Sequence, residues 1–302
     1  MSAHPWPLGI VSNCWGALLG EREGLEAQCV RALEAGYQVV ELRQRALAEC
    51  QQTVVSDERP WPVADRLERL HAHVPGLQLH LAVEAPFISQ PAPAKDAYLD
   101  RCIEAAKALG GGAFLRLVDL APTSNGIDHD ETIDMLGDAL GGLGAHCWGN
   151  GLRLVVENAR QPLSLVRRVI DRARFVMPRS APPIGVCWDP ANMVGVPGND
   201  EDPLAVAATF LSAGPEERDE LAEVHYKQRR GTEQLREVGA GDIDWAGVHR
   251  ALAVNAYRGP FLFEIPAGPD IWERLARSRD YIEGLAAGLP SAGEQPSPEA
   301  ER

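Results

Sequence analysis

Short apolar runs rich in β-branched residues alternate along the chain with longer stretches whose apolar positions recur at helical spacing. The runs cover residues 8–12, 38–42, 77–83, 113–118, 152–156, 184–187, 222–225 and 260–263. The amphipathic stretches between and after them cover 22–35, 63–73, 94–109, 129–147, 163–173, 203–212 together with 216–220, 244–254 and 270–287. Turn chemistry punctuates this order: Gly36 closes the first helical stretch, Pro75-Gly76 the second, Gly110-Gly111-Gly112 the third and Gly149-Asn150-Gly151 the fourth. The run at 152–156 is apolar apart from Arg153, the pattern of a strand covered on both faces in a parallel sheet. Eight strand–helix units in succession predict an α/β fold, a closed (β/α)8 TIM barrel. An open doubly wound sheet would be signalled by a GxGxxG turn after the first strand, and there is none. The barrel is expected to form a single domain over residues 1–288. Residues 289–302, polar and Pro-rich, are expected to form a disordered tail.

The length of 302 residues suits one such barrel with extensions. A formal net charge of −14 argues against a nucleic-acid binder, which needs basic surface to neutralise phosphates. No apolar run approaches the roughly 20 residues of a membrane span. The N-terminus lacks the basic flank and apolar core of a secretory signal. The six cysteines, at 14, 29, 50, 102, 147 and 187, form no CxxC pair. They read as reduced thiols of a cytoplasmic enzyme, with Cys14 and Cys187 as small packing residues.

Enzymes of this architecture collect their chemistry at the C-terminal ends of the strands. Here the second run leads into Glu41-Leu42-Arg43, the fifth into Glu157-Asn158, the sixth into Trp188-Asp189, the seventh into His225-Tyr226-Lys227 and the eighth into Glu264. Glu157, Asp189, His225 and Glu264 therefore come from four adjacent strands and converge at one rim. Carboxylates that close raise one another's proton affinity unless a cation neutralises them. Three carboxylates and one imidazole make an oxygen-rich site for one divalent metal ion, Mn2+ or Mg2+ first, with Co2+, Fe2+ and Zn2+ as further candidates. The alternative is that each acid pairs with a lysine or arginine at the rim.

The segments GYQVVELR (36–43), LVVEN (154–158), CWDPANM (187–193), VHYK (224–227) and GAGDIDWAGVHRALAVNAYRGPFLFE (239–264) resemble the xylose-isomerase-like barrel superfamily. The last segment is the most specific: a Gly-x-Gly-Asp-Ile-Asp-Trp loop, a helix, then Tyr-x-Gly and a strand ending in Glu. The superfamily includes sugar isomerases and epimerases, inosose and dehydroshikimate dehydratases, and endonuclease IV. The resemblance implies that Glu157, Asp189, His225 and Glu264 bind the metal and that Glu157 and Glu264 exchange protons with substrate. It implies a sugar or hydroxy-ketone isomerase or epimerase of carbohydrate metabolism, acting through a metal-bound enediolate. Two alternatives are a dehydratase (lyase) on an inosose, keto-sugar or dehydroshikimate-like substrate, and a non-catalytic sugar-binding or auxiliary subunit. Three features depart from the pattern. Asn192 stands where many members carry a histidine, and asparagine cannot shuttle a proton near neutral pH. His225-Tyr226-Lys227-Gln228 replaces a frequent His-x-Lys-Asp. The further ligands of endonuclease IV have no counterpart, which together with the acidic balance turns the reading away from DNA.

Further polar residues have two readings each. Asn192, Lys227 and Arg229 are candidates for binding substrate oxygens, or the two cations are solvated loop charges. Glu41 and Arg43 either bracket the substrate end of the pocket or form a rim ion pair. His80 faces the pocket or is a buried structural histidine. Arg160 orients Glu157, binds substrate, or does neither. Trp15 and Trp188 wall a sugar ring or belong to the core. Arg116, inside the fourth strand, needs a partner if it faces inward. The expected ligand is a small sugar or polyol-derived molecule, with no nucleic acid and no membrane; self-association into a homo-oligomer is left open.

Overall fold

The computed structural model describes residues 4–16, 18–19, 24–43, 63–92, 96–121, 129–196, 199, 201–212 and 220–287. The tail expected at 289–302 lies outside the described residues, as does the short helix expected at 216–220 apart from Glu220. The barrel strands are β1 Leu8–Val11, β2 Val39–Arg43, β3 Gln78–Glu84, β4 Phe114–Val118, β5 Arg153–Glu157, β6 Gly185–Trp188, β7 Leu221–Tyr226 and, after a two-stranded hairpin (β8 Arg229–Arg230, β9 Glu233–Gln234), β10 Phe261–Phe263. All eight pair in parallel, in chain order around the ring, and β10 closes onto β1. Each is one of the eight runs read from the sequence, with both ends within one residue. The hairpin escapes hydrophobic periodicity because each strand has only two residues; its turn holds Gly231 at φ +57, where a Cβ would be strained.

Eight helices are described: α1 Leu25–Glu34, α2 Val63–His73, α3 Ala97–Lys107, α4 Asp130–Gly149, α5 Leu163–Ala173, α6 Pro203–Ser212, α7 Trp245–Val254 and α8 Ile271–Ala286. The third and seventh begin at side-chain caps, Asp96 accepting from the Tyr98 N–H at 2.7 Å and Asp244 from the Gly247 N–H at 2.9 Å. The first of these caps starts α3 three residues after the predicted position at 94. In α5, Val166, Val169, Ile170 and Ala173 form one buried stripe at helical spacing. It packs closely on α4 because Gly141 has no side chain: a Cβ there would lie 2.6 Å from the Ala173 carbonyl oxygen. No described helix is long and apolar enough to cross a membrane. Cys14, Cys29, Cys102, Cys147 and Cys187 are free and buried.

Strand alternation sorts the barrel residues. One set, including Ile10, Val40, Leu81, Leu117 and Val156, joins the main apolar core beneath the helices. The other set fills the barrel interior. Its apolar members are Phe114, Val155, Cys187 and Ala222, with Val11, Val39 and Leu262 opposite. Among and above them lie Glu41, His80, Arg116, Glu223 and His225, none exposed to solvent. A charged layer inside the barrel thus supports the rim.

Outside the barrel, His249 of α7 is buried against Trp6 and Phe261 and meets the Tyr226 hydroxyl at 2.6 Å. Burial, with a small push from His4, lowers its pKa to about 3. Because the unfolded value is near 6.5, the unfolded chain binds the proton more readily between these limits. The stability from neutral His249 is full above pH 6.5 and is lost as pH falls toward 3. Glu223, raised by burial to about 8, and His80 also titrate, so a difference between variants isolates the effect. Between pH 6 and 5 the wild type is expected to lose about 1 kcal/mol of unfolding free energy relative to His249→Gln. Urea denaturation at both pH values measures this, and parallel changes in the two proteins would refute it.

Candidate metal centre

Period-two alternation builds the centre from strand ends. Glu223, His225 and Lys227 point to the same side of β7 and its extension, stepping upward from the interior to the rim. A register shift helps to aim them: Val186 pairs with Leu221 but Cys187 with Glu223, so β7 carries one extra residue, Ala222, against β6. Glu157 ends β5, Asp189 follows β6 and Glu264 follows β10.

The ligand atoms of Glu157, Asp189, His225 and Glu264 all lie within 4.8 Å of one another, and all four residues are buried. His225 Nδ1 is 2.9 Å from Glu264 Oε2 and 3.9 Å from Glu157 Oε1. Asp189 caps the short turn Pro190–Asn192, its Oδ1 accepting from the Ala191 N–H at 2.9 Å, which leaves Oδ2 for the centre. Asn158 clamps the Asp189 backbone, accepting from its N–H at 2.7 Å and donating to its carbonyl at 3.1 Å. Asn192 Nδ2 donates to Glu157 Oε1 at 3.1 Å, and Asn13 Nδ2 to Glu264 Oε1 at 2.5 Å. Lys227 Nζ lies 2.5 Å from Asp189 Oδ2 and 2.7 Å from Glu264 Oε2. Arg43 reaches Glu84 at 3.4 Å and Glu264 Oε1 at 3.6 Å.

Asp189 Oδ2, His225 Nδ1 and Glu264 Oε2 are buried and close to charged neighbours, yet none has an aligned hydrogen bond. Buried polar atoms normally have one. Three such atoms aimed at one point, in a set of three carboxylates and one imidazole, fit a divalent cation. Burial pushes the Asp189 carboxyl up, against the pull of Lys227 and His225. Burial acts likewise on Glu264, but Lys227, His225 and Arg43 prevail and hold it well below the usual carboxylate range. Burial pulls Lys227 down, but Asp189 and Glu264 outweigh it, so its ammonium stays charged.

Of the residues singled out by sequence, the structure brings together Glu157, Asp189, His225, Glu264, Asn192 and Lys227, with Arg43 at their edge. Lys227 is no solvated loop charge: its side chain is 11% exposed. The others lie elsewhere. Glu41 does not pair with Arg43; it lies deeper on β2 and takes Arg116 as its partner. His80 is sealed below the rim, stacked 3.5 Å from the Phe114 ring and accepting from the Phe114 N–H at 3.2 Å; burial lowers its pKa to about 3, so it is neutral. Trp15 stacks on Trp272 and Trp188 packs at a tilt against Phe210, both tryptophans fully buried in the core, so neither walls a pocket. Arg229 donates to the Thr232 carbonyl within the hairpin at 3.0 Å. Arg160 is exposed, and among the described residues it makes no ion pair with Glu157; Arg116 holds that carboxylate instead. Sequence reasoning missed Asn13 and Glu223. Two-residue spacing from His225 was a signal for Glu223, whereas nothing near Asn13 in the sequence connects it to Glu264, 251 positions away.

A barrel of this topology with strand-end donors in this order defines a class, and the chain belongs to the xylose isomerase-like TIM barrel family, which it matches over residues 29–285. Three solved structures illustrate the likeness. A xylose isomerase-like TIM barrel/4-hydroxyphenylpyruvate dioxygenase fusion protein aligns with a TM-score of 0.64 at 18% identity over 93% of this chain, which spans only 42% of the fusion. The 3-keto-D-glucoside 4-epimerase from E. coli aligns with a TM-score of 0.58 at 15% identity, covering 93% of this chain and 99% of its own. A xylose isomerase-like TIM barrel protein from Mycobacterium smegmatis, solved with magnesium, aligns with a TM-score of 0.60 at 18% identity, covering 95% and 98%. Identities this low carry the fold alone. No curated protein matches the chain.

Proposed function

We propose that the protein is a divalent-metal-dependent isomerase or epimerase of a sugar or sugar-like hydroxy-ketone, with Glu157 and Glu264 as the proton carriers. The convergence of the Glu157, Asp189, His225 and Glu264 donor atoms within 4.8 Å is the observation that carries this reading. These four residues would hold Mn2+ or Mg2+, and the cation would supply Lewis acidity to stabilise negative charge developing beside a substrate carbonyl. Glu157 Oε1 takes the proton from the carbon next to the carbonyl, while Asn192 Nδ2, already 3.1 Å from that oxygen, steadies it and offers a hydrogen bond to a substrate hydroxyl. Glu264, whose Oε2 lies 2.9 Å from His225 Nδ1, holds or returns a proton there. Lys227 and Arg43 are positioned to receive substrate oxygens. Return to the opposite face of the same carbon gives epimerisation, and delivery to the neighbouring carbon gives isomerisation.

A dehydratase is the second reading, favoured by Asn192. Asparagine at this position orients but does not transfer a proton, and loss of a β-hydroxyl as water asks none of it: Glu157 removes the proton beside the carbonyl and a proton carried by Glu264 goes to the leaving hydroxyl. The convergence of four buried donor residues speaks against a non-catalytic subunit. The experiment is NMR-detected exchange of substrate protons for deuterium in the presence of Mn2+, over a panel of ketoses, inososes and keto acids. Exchange at the carbon beside the carbonyl of at least one class is expected. No Mn2+-dependent exchange with any of them would overturn the proposal.

A further inference from the structure

Beneath the four rim donors lies an ion cluster that the proposed chemistry does not use. Arg116 projects from β4 into the barrel interior, fully buried. Its Nε donates to Glu41 Oε2 at 2.5 Å and its Nη2 to Glu41 Oε1, a two-point grip on one carboxylate. Its Nη1 donates to Glu157 Oε2. Its Nε also lies 3.4 Å from Glu223 Oε1. One guanidinium thus faces three carboxyl groups, with Glu41 and Glu157 gripped directly, in a space without solvent.

Such a cluster is a poor device for stability. Burying charges costs several kcal/mol each, and well-packed apolar residues in their place are often as stable or more so. Its geometry suits another role. Glu41 fixes the plane of the guanidinium through two bonds, and a planar fork so fixed leaves Nη1 in one direction only. That direction is taken by Glu157 Oε2. The other oxygen, Oε1, is the one that faces Asn192 and His225 Nδ1. The carboxylate therefore cannot rotate to offer both oxygens to the centre.

We infer that Arg116, braced by Glu41, is a positioning residue that makes Glu157 present Oε1 alone to the cation and substrate. The inference rests on the proposed metal-dependent function. It gives Glu41 a place in the machinery without contact with substrate: it acts through Arg116, and Arg116 acts through Glu157.

The test replaces the buried pair as a unit, in the double variant Glu41→Met/Arg116→Met, so that no unpaired charge is left between them. Mn2+ affinity is measured by titration, and the visible spectrum of the Co2+-loaded protein reports on coordination. The thermal midpoint of the metal-free protein reports the structural cost, and the Co2+ spectrum is the readout that a merely structural role would leave unchanged. The double variant is expected to lose several degrees of metal-free midpoint, because Glu157 Oε2 is left buried without Arg116, to bind Mn2+ about 10- to 100-fold more weakly, and to show an altered Co2+ spectrum as Glu157 becomes free to turn. Arg116→Lys keeps the buried positive charge and loses the fork; it is expected to show the same spectral change. Wild-type Mn2+ affinity together with a wild-type Co2+ spectrum in the double variant overturns the inference. If the double variant does not fold, Arg116→Lys decides, and an unchanged spectrum there overturns it. Wild-type protein is titrated in parallel. If it binds no Mn2+, the proposed function fails and this inference with it, whereas normal binding with an unchanged Co2+ spectrum in every protein removes the inference alone.

Discussion

Glu157→Gln lowers Mn2+-dependent deuterium exchange into substrate by about 10²–10⁴-fold, the contribution expected of a positioned proton carrier. Glutamine keeps the shape of the side chain, and its one oxygen can still accept from Arg116 while its amide nitrogen donates to the oxygen of a turned Asn192 side chain, but it cannot take a proton from carbon. The substitution also removes one negative charge from the metal donors, so loss of the cation could mimic loss of the base. Exchange is therefore measured at saturating Mn2+, with bound metal counted in the same sample. A variant that binds Mn2+ and exchanges protons at nearly the wild-type rate removes Glu157 from the role of base and leaves it a ligand. A variant that binds Mn2+ and does not exchange separates the two roles. The cluster below adds a second expectation. With Glu157 neutral, Arg116 still has its two-point pairing with Glu41, so its charge is not orphaned and the fold should survive.

Why the sequence yields so much of this centre is a matter of what a barrel imposes. Parallel strands in order, each ending at the same rim, turn linear position into convergence: Glu157, Asp189, His225 and Glu264 lie up to 107 positions apart yet meet because each stands at the end of an adjacent strand. Strand boundaries were legible to within one residue for the same reason, since apolar runs buried on both faces are sharply bounded. Depth was less legible. Glu41 and His80 occupy strands whose ends reach the rim, but they sit lower, and a parallel register places them side by side inside the barrel. Arg116 looked like an anomaly in an apolar strand; its partners are three carboxylates on three other strands, a pairing no local pattern announces. Contacts made by loops were least legible. Arg160 and Arg229 carry the right chemistry near the right strands, yet loop geometry directs them elsewhere, and Asn13 reaches Glu264 only because β1 and β10 are neighbours in the closed ring.

Lys227→Met destabilises the metal-free protein and tightens its grip on metal. In the wild type the ammonium stands between Asp189 Oδ2 and Glu264 Oε2, two of the atoms that would hold the cation. Removing it leaves two buried carboxylates without their nearest positive charge, and breaking a buried pair in this way costs about 3–5 kcal/mol. For a chain of this size that corresponds to a fall of roughly 5–15 °C in the metal-free thermal midpoint. Saturating Mn2+ replaces the lost charge, so most of the fall should be recovered on loading, and the metal-induced rise should exceed that of the wild type. In the wild type the cation must displace the ammonium before it reaches both oxygens; without that competitor, Mn2+ affinity rises. An equal metal-free midpoint in the two proteins would show that the ammonium lies in solvent rather than in the barrel mouth. Weaker Mn2+ binding in the variant would show that Lys227 supports the loaded state instead of competing with it. Tighter binding with reduced turnover would separate its two tasks, neutralising the carboxylates in the metal-free state and receiving substrate oxygen in the loaded one.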